Sequence, residues 1–542
     1  METAVAIVGG IGFFLLGMAV MTDGLKALAG SALRTVLAKA AATSLSGTVW
    51  GAVVTLLVQS SSATTMTTIG LVSAGLLTFP QGLSLVFGAN IGTTGTGWLV
   101  ALLGVRISLT AYALPIVFVG ALLKLMGKGR WAASGASIAG FALILVGLTT
   151  LQQGMSGLAE QLNPADLPAV LGEPGVAWWS GALGVLTLVA TGVVMTTVMQ
   201  SSTAAITITI SALFAGAIDL DQALALVIGQ NIGTSTSSAM AAIGASNTAK
   251  RLAVAYIAFK LIAAAVALVL FPLTVRLMVR AAETVDPVTL VAAYHTAYNV
   301  VGVAILLPLI GPFTRVIERL VPERGSAFTR YLDPAALDAA PIVAIEAARR
   351  TVAHVLEALC LSSSSPSGSP AGGTVVRQAS DALHQVQAFL SKVTEPLSVE
   401  EEQQWFIRTL HALDHAIGLA DAIEASAKIG APLDGPDERR AVQLYSDAMQ
   451  SAAESSASFE HLPVRRTATV GAKPVEVVEH LARCSEELAS LQLQHRRSTF
   501  YSVASGKLTV SDAIANVDAV RLLERQAHHA WRAVAHLAGV VT

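Results

Sequence analysis

Between Met1 and Gly311 apolar residues run in long blocks. Polar residues are confined to the gaps and to two short clusters inside the blocks, QSSS at 59–62 and QSST at 200–203. The spacing predicts helices throughout. The opening METAVAIVGGIGFFLLGMAVMTDG lacks the basic start of a signal peptide and reads as a retained helix. Blocks 47–58 and 63–77 each cover about 18–23 Å at ~1.5 Å per residue, short of a hydrocarbon core of ~30 Å. Two short arms joined by a polar tip predict a re-entrant hairpin over 47–78. TFPQG then turns the chain, 81–103 crosses with an interruption at GANIGTTGTG, and a helix at 109–126 completes the unit. Past residue 311 the pattern changes. Residues 340–360 and 375–542 place apolar positions at helical spacing with Glu, Arg and His on other faces, which predicts a helical bundle. LSSSSPSGSPAGG at 361–373 reads as a flexible linker.

The membrane pattern is written twice. Residues 59–94 align with 200–235 at a constant offset of 141 without gaps, identical at 17 of 36 positions. Upstream, LLGMAVMTDGLKALAG resembles LVGLTTLQQGMSGLAE. The units are 1–130 and 131–282, the second with its hairpin at 183–218, and 283–315 holds a last helix centred on 289–311. Basic loops stay in the cytoplasm. Lys26, Arg34 and Lys39 follow the first helix, and Lys124, Lys128 and Arg130 lie in the next turn. The loop 155–178 carries Glu160, Asp166 and Glu173 without Lys or Arg. Helix one therefore runs outside to inside and its counterpart at 137–157 the other way, so the copies are inverted. Lys250, Arg251, Arg315, Arg319, Arg324 and Arg330 fall inside on this path, whereas Arg276 and Arg280 fall outside, against the trend.

Composition sharpens the division. Of the 70 charged residues, 21 precede residue 312 and 49 fill the last 231 positions. The expected architecture is all-α: a polytopic protein of the inner membrane with two inverted repeats and re-entrant helical hairpins, its N-terminus outside. A cytosolic helical bundle over 340–542 follows. Cys360 and Cys484 suit a reducing compartment rather than a disulfide framework. A net charge of −2 gives no sign of a nucleic-acid partner. The sequence is silent on oligomeric state, and a homo-oligomer is compatible with it.

Non-helical backbone at membrane depth is tolerated where it is buried in protein or lines a wet cavity. Interrupted segments at matching positions point to a transporter's binding site. Each tip starts a helix at Ser or Thr, and helix starts offer free N–H groups and partial positive charge, which suit an anion. Hydroxyl and Gln oxygens, with those of Asn90–Thr94 and Asn231–Ser235, can coordinate Na⁺. A site holding an anion and small cations together is the chemistry of a symporter. A stripe of small residues that merely packs helices is the competing account, and the duplication of both motifs argues against it.

The duplicated Gln-Ser-Ser tip, with GANIGTT and GQNIGTS downstream, resembles the type II sodium–phosphate cotransporter family over about 1–315. The resemblance implies Na⁺-coupled movement of inorganic phosphate. By position it makes Gln59, Ser60, Ser61, Ser62, Gln200, Ser201, Ser202 and Thr203 phosphate ligands, Thr203 replacing a more usual serine. The coordinating oxygens of the tips and interruptions give the sodium set Gln59, Ser61, Thr64, Asn90, Thr93, Thr94, Gln200, Ser202, Asn231, Thr234 and Ser235. HTAYN at 295–299 also looks like a family segment. Lys260, ten residues past Lys250, has several readings: it neutralises phosphate, takes a cation's place, or pairs at a helix interface. His295 is a packing residue or a ligand, and Asp23 reads as a solvated helix-end cap.

DHAIGLADAIEAS at 414–426 resembles part of a PhoU-like three-helix repeat, a family in which acidic residues can bind metal. Asp414, Asp421 and Glu424 match that pattern loosely, with a solvated acidic face as the plainer account. His528 and His529 read as surface. No nucleotide loop, nucleophile triad or zinc spacing is present, so the chain is read as a carrier and not an enzyme. A membrane-tethered phosphate sensor, or a carrier of another oxyanion such as arsenate or sulfate, are the alternatives.

Overall fold

The computed structural model describes residues 2–40, 43–105, 110–161, 164, 167–168, 170–171, 177–243, 247–322, 327–363, 370–394, 397, 399–429, 434–461 and 472–540. Of the charges used to orient the chain, Asp166, Glu173 and Arg324 lie outside these residues. The described residues are helical, without strands, and form two compact units: 1–69 with 77–323, and 70–76 with 324–542.

The first unit contains α1 (Glu2–Ala40), α2 (Ser44–Val58), α3 (Ser61–Ser73, its last turn counted with the second unit), α4 (Phe79–Leu99), α5 (Thr110–Met126), α6 (Arg130–Ala159), α7 (Trp178–Met199), α8 (Ser202–Phe214), α9 (Leu220–Gly233), α10 (Ser235–Ala241), α11 (Asn247–Ala281), α12 (Pro287–Leu306) and α13 (Ile310–Leu320). Six described helices are long and apolar enough to cross a membrane: α1, α4, α6, α7, α11 and α12. The expected third crossing of the first copy, α5, has 17 residues and covers only about 25 Å.

Helix α1 runs through the segment expected to be a loop, so Lys26, Arg34 and Lys39 lie on a helix. Leu, Ala and Lys dominate that segment and are good helix formers, and no proline stops it. Asp23 accordingly is no end cap; it sits mid-helix, exposed, 3.7 Å from Lys26. Helix α1 lies antiparallel against α6. A Cβ at Gly10 would stand 2.5 Å from the Leu151 amide nitrogen, and one at Gly17 2.6 Å from that of Ile144, so partner numbers fall as glycine numbers rise.

The breaks between α2 and α3 and between α7 and α8 are alike. Each falls at a glutamine in the left-handed region, Gln59 at φ 57° and Gln200 at φ 50°; these are the two non-glycine residues with positive φ among those described. Such a conformation costs a non-glycine residue roughly 1–2 kcal/mol. Each side chain turns back on its own helix, Gln59 Nε2 donating to Leu56 O and Gln200 Nε2 to Thr197 O. The first arms then pack parallel to the helix after the pair. Gly88 faces the Thr48 carbonyl and Gly92 that of Ala52, while in the second copy Gly229 faces Val189 and Gly233 faces Val193. Gly75 (φ 71°) and Gly216 (φ 76°) turn the chain after the second arm. The N–H groups of Thr78 and Asp219 at the next helix starts donate to Gln81 and Gln222. Every one of these pairs is separated by 141 residues.

Three expectations need correction. The first copy has no interruption at 88–97: α4 continues unbroken and passes into a π-helical turn, Val100–Val105. Its polar side chains bond back onto their own helix, Asn90 Nδ2 to Val86 O and Thr93 Oγ1 to Ala89 O, without displacing the backbone bonds. In the second copy the helix is interrupted, at Thr234, between α9 and α10. The first arm of the second pair starts at Trp178 rather than 183 and has 22 residues, about 33 Å. Its added turn carries Trp178 and Trp179, both exposed, a residue type suited to a membrane–water interface. The last helix stops at Leu306 rather than 311, and amphipathic α13 follows.

The second unit comprises α14 (Pro334–Ala339), α15 (Pro341–Ser363), α16 (Pro370–Leu390), α17 (Glu400–Ser426), α18 (Pro436–His461), α19 (Ala472–Ala504) and α20 (Val510–Ala538). Within it, Ser73 donates its hydroxyl to the Asp333 carboxylate. Residues 361–363 and 370–373 of the expected linker are helical; 364–369 lie outside the described residues. Helix α15 is buried nearly all round, with Val352, Val355, Leu356 and Leu359 at 0% exposure, and forms the centre of the bundle. Its one buried carboxylate, Glu346, accepts from Arg349 at 2.8 and 2.9 Å and from Arg350 at 2.9 Å. Burial would push this carboxyl up, but the two guanidinium groups outweigh it and hold Glu346 below the usual carboxylate range.

Glu346→Gln removes the buried carboxylate that the Arg349 and Arg350 guanidinium groups share and is expected to destabilise the bundle by roughly 3–5 kcal/mol. The fall in its urea unfolding midpoint measures this. Because the folded pKa is depressed, the Glu346 contribution is full above the unfolded carboxylate pKa. It is lost as pH falls through the folded value.

Candidate functional site

The two glutamine breaks expose matching chemistry. Ser60 and Ser201 cap the second arms, each Oγ accepting at 3.2 Å from the amide of Ala63 or Ala204. The next two amides of each arm, Ser61 and Ser62 or Ser202 and Thr203, have no intrahelical acceptor, as at any helix start. Among the described residues the hydroxyls of these four make no hydrogen bond, so each tip keeps two N–H groups and two hydroxyls to offer. Gln59 Oε1 accepts from Thr96 at 2.6 Å and Gln200 Oε1 from Ser237 at 2.9 Å. Those partners are themselves 141 apart, three residues beyond Thr93 and Thr234. Thr96 and Ser237 lie two residues past the repeat 59–94/200–235, and the same offset carried on pairs them.

The sodium candidates divide into four groups. Gln59, Ser61, Gln200 and Ser202 are at the tips. Thr64 is fully buried between the arms of the first pair, where Thr55 donates to its hydroxyl at 2.9 Å. Thr93 returns to its own helix, to Ala89 O, and Ser235 to the end of the preceding one, to Ile232 O. Asn90, Thr94, Asn231 and Thr234 enter one buried network with side chains of α11 and α12. The Tyr256 hydroxyl lies 3.1 Å from Asn90 Oδ1 and 3.4 Å from Thr234 Oγ1, joining one copy to the other. Thr296 donates to Thr94 at 3.1 Å and accepts from the Trp98 indole at 2.9 Å. Lys260 reaches Asn231 and Asn299. Thr296 and Asn299 belong to the HTAYN segment already flagged. Tyr256 gave no sequence signal, being one aromatic residue in an apolar helix.

Gly97, next to Thr96, has His295 Nδ1 and Ile206 Cγ2 as the nearest atoms to where its Cβ would stand, at 3.8 and 3.9 Å. Ile206 lies four residues past Ser202, so the second arm of the later pair passes beside the anchor of the earlier glutamine. His295 is buried, and its Nδ1 has no partner among the described residues.

In the bundle, Asp414, Asp421 and Glu424 are exposed, and Glu424 pairs with Lys428 at 3.2 Å. Among the described residues no three His, Cys, Asp or Glu side chains are grouped to hold a metal. His528 and His529 are half-buried rather than on the open surface. His529 Nδ1 lies 3.2 Å from His415 Nδ1, and the His411 and His536 rings stack beside them. Burial and the neighbouring imidazoles push His415 down to about 4, and burial with His411 does the same for His536, so both are neutral at neutral pH.

A duplicated set of broken apolar helices around a buried polar network defines a helical membrane protein of the transporter class. The chain belongs to the Na⁺/Pi-cotransporter family, whose profile matches residues 13–153 and 184–291. It is 32% identical over 313 residues to the "Uncharacterized protein YqeW" of Bacillus subtilis (strain 168), covering 58% of this chain and 96% of that protein. To the "Putative inorganic phosphate export protein YjbB" of Escherichia coli (strain K12) it is 25% identical over 449 residues, 80% of this chain and 78% of that one. A segment of 61 residues, 11% of this chain, is 48% identical to 9% of the "Sodium-dependent phosphate transport protein 2B" of Homo sapiens. No solved structure matches the chain.

Proposed function

We propose that this protein carries inorganic phosphate across the cell membrane with Na⁺, by alternating access around a site between the two Gln-Ser-Ser tips. The observation that carries the reading is the pair of left-handed glutamine breaks with identical local bonding, each leaving two free amides and two hydroxyls at a helix start. Free helix starts suit a tetrahedral oxyanion. The asparagine and threonine oxygens of the adjoining network suit Na⁺.

Two inverted copies with re-entrant hairpins are part of the proposal. The antiparallel packing of α1 on α6, matching helices of the two copies, supports inversion. The parallel packing of α2 on α4 and of α7 on α9 supports re-entry, because a helix parallel to the first arm starts from the end where that arm began. The C-terminal bundle is read as a cytosolic PhoU-like regulator of three plus three helices, in which the third helices α17 and α20 face each other at His415 and His529. The N-terminus lies outside. Direction follows the gradients, and the export named for the Escherichia coli relative is as open to this mechanism as uptake.

Purified protein in liposomes is expected to accumulate labelled phosphate when an inward Na⁺ gradient is imposed and not with K⁺ or choline. Unlabelled phosphate should compete better than sulfate. Equal flux in choline would remove sodium from the mechanism, and stronger competition by sulfate would reassign the cargo.

A further inference from the structure

Lys260 is a cation in the interior of the apolar unit, 2% exposed, with no carboxylate paired to it among the described residues. Its ammonium donates to Asn231 Oδ1 at 3.2 Å and Asn299 Oδ1 at 3.4 Å. It stands 5.6 and 5.8 Å from the ring centroids of Tyr256 and Phe259. Both asparagines are held in this pose. Asn231 Nδ2 donates to Val227 O at 3.0 Å; Asn299 Nδ2 donates to His295 O at 2.9 Å and also to Asn231 Oδ1 at 3.3 Å, and both Oδ1 atoms face the ammonium. Neutral carbonyl oxygens converging in a buried interior beside aromatic faces make a seat for a small cation.

The first copy has the same asparagine in the same pose, Asn90 Nδ2 donating to Val86 O at 2.9 Å. There, however, the Oδ1 accepts from a neutral phenol, that of Tyr256. Asn90 and Asn231 are 141 apart, so the duplicated asparagine oxygen meets an ammonium in one copy only.

We propose that the Lys260 ammonium is a tethered substitute for one coupling sodium, filling the cation seat of the second copy and supplying its charge without being transported. This rests on the sodium-coupled reading above. A role as direct phosphate ligand fits less well, because two of the three ammonium hydrogens are already committed to the asparagines. Each cycle then moves one Na⁺ fewer than two open seats would allow.

The test compares the native full-length chain with Lys260→Asn, which removes the charge and installs the oxygen ligand present at Asn299. Bound ²²Na⁺ per protein and the sodium-to-phosphate flux ratio in liposomes should each rise by one in the variant, with a steeper sodium dependence. A folded variant with an unchanged count and ratio overturns the proposal. So does one that loses phosphate binding at an unchanged sodium count, which would make Lys260 a phosphate ligand.

Stability provides the second readout. The Tm of Lys260→Asn should rise more steeply with NaCl than that of the native chain, and not with choline chloride, because free Na⁺ refills the seat. A variant that stays unfolded in both salts also overturns the proposal. A native chain that moves phosphate without sodium defeats the transport reading and this inference together; the inference fails alone when the native chain is sodium-coupled and the variant's ratio is unmoved.

Discussion

Gln59→Gly and Gln200→Gly are each expected to lower sodium-dependent phosphate uptake by roughly 10- to 100-fold while the chain remains folded. Glycine is the instructive replacement because both positions are left-handed, where it is conformationally relaxed. What disappears is the side chain, with its bond to Thr96 or Ser237 and its bond back to the preceding helix. Once a tip is closed around its substrate, leaving such partners unpaired costs about 1–3 kcal/mol, which as lost substrate stabilisation is the stated range of rate. Alanine would confound the result by adding backbone strain. Initial rates of labelled phosphate uptake, normalised to folded protein, are the measurement. Full activity in both glycine variants would show that the tips do not hold the substrate.

The second large effect is structural. Gly88→Ala and Gly229→Ala should each abolish accumulation of folded protein, because their Cβ atoms would sit 1.9 Å from the carbonyl oxygens of Thr48 and Val189. No rotamer change relieves a clash with backbone, so α2 must move off α4, or α7 off α9. Overpacking of this kind usually costs ~1–3 kcal/mol, and more where backbone has to shift. Gly97→Ala is the control. Its Cβ would meet nothing closer than 3.8 Å, and it should express and melt like the native chain. Detergent size-exclusion profiles and melting curves decide the matter, and normal behaviour of Gly88→Ala would mean that the first arm does not lie on α4 as described.

Position by position, legibility tracked how local each feature is. The glutamine breaks were readable because a Gln-Ser-Ser cluster inside an apolar run has few local solutions, and its repetition 141 residues on removed chance. The expected break at 88–97 was not, because Gly, Asn and Thr are poor helix formers individually, yet here Asn90 and Thr93 bond back to the preceding turn and Gly88 and Gly92 are held where α2 packs on α4. Lys26, Arg34 and Lys39 marked a loop by charge alone, whereas the helix ignored them because a helix excludes charge only where it meets lipid.

By itself, then, the chain's order of residues determined that there are two copies of an apolar unit, where each copy breaks at its glutamine, and that a polar helical bundle follows. These depend on composition and spacing within a few dozen residues. The tertiary structure alone decided which oxygens share a hydrogen: Tyr256 with Asn90 across 166 positions, Thr296 with Thr94 across 202, and Lys260 with both Asn231 and Asn299. Apolar periodicity says which face of a helix is buried but not which helix covers it. Partner choice in a buried polar network follows from close packing at the glycines, whose contacts are long-range and leave no period in the sequence.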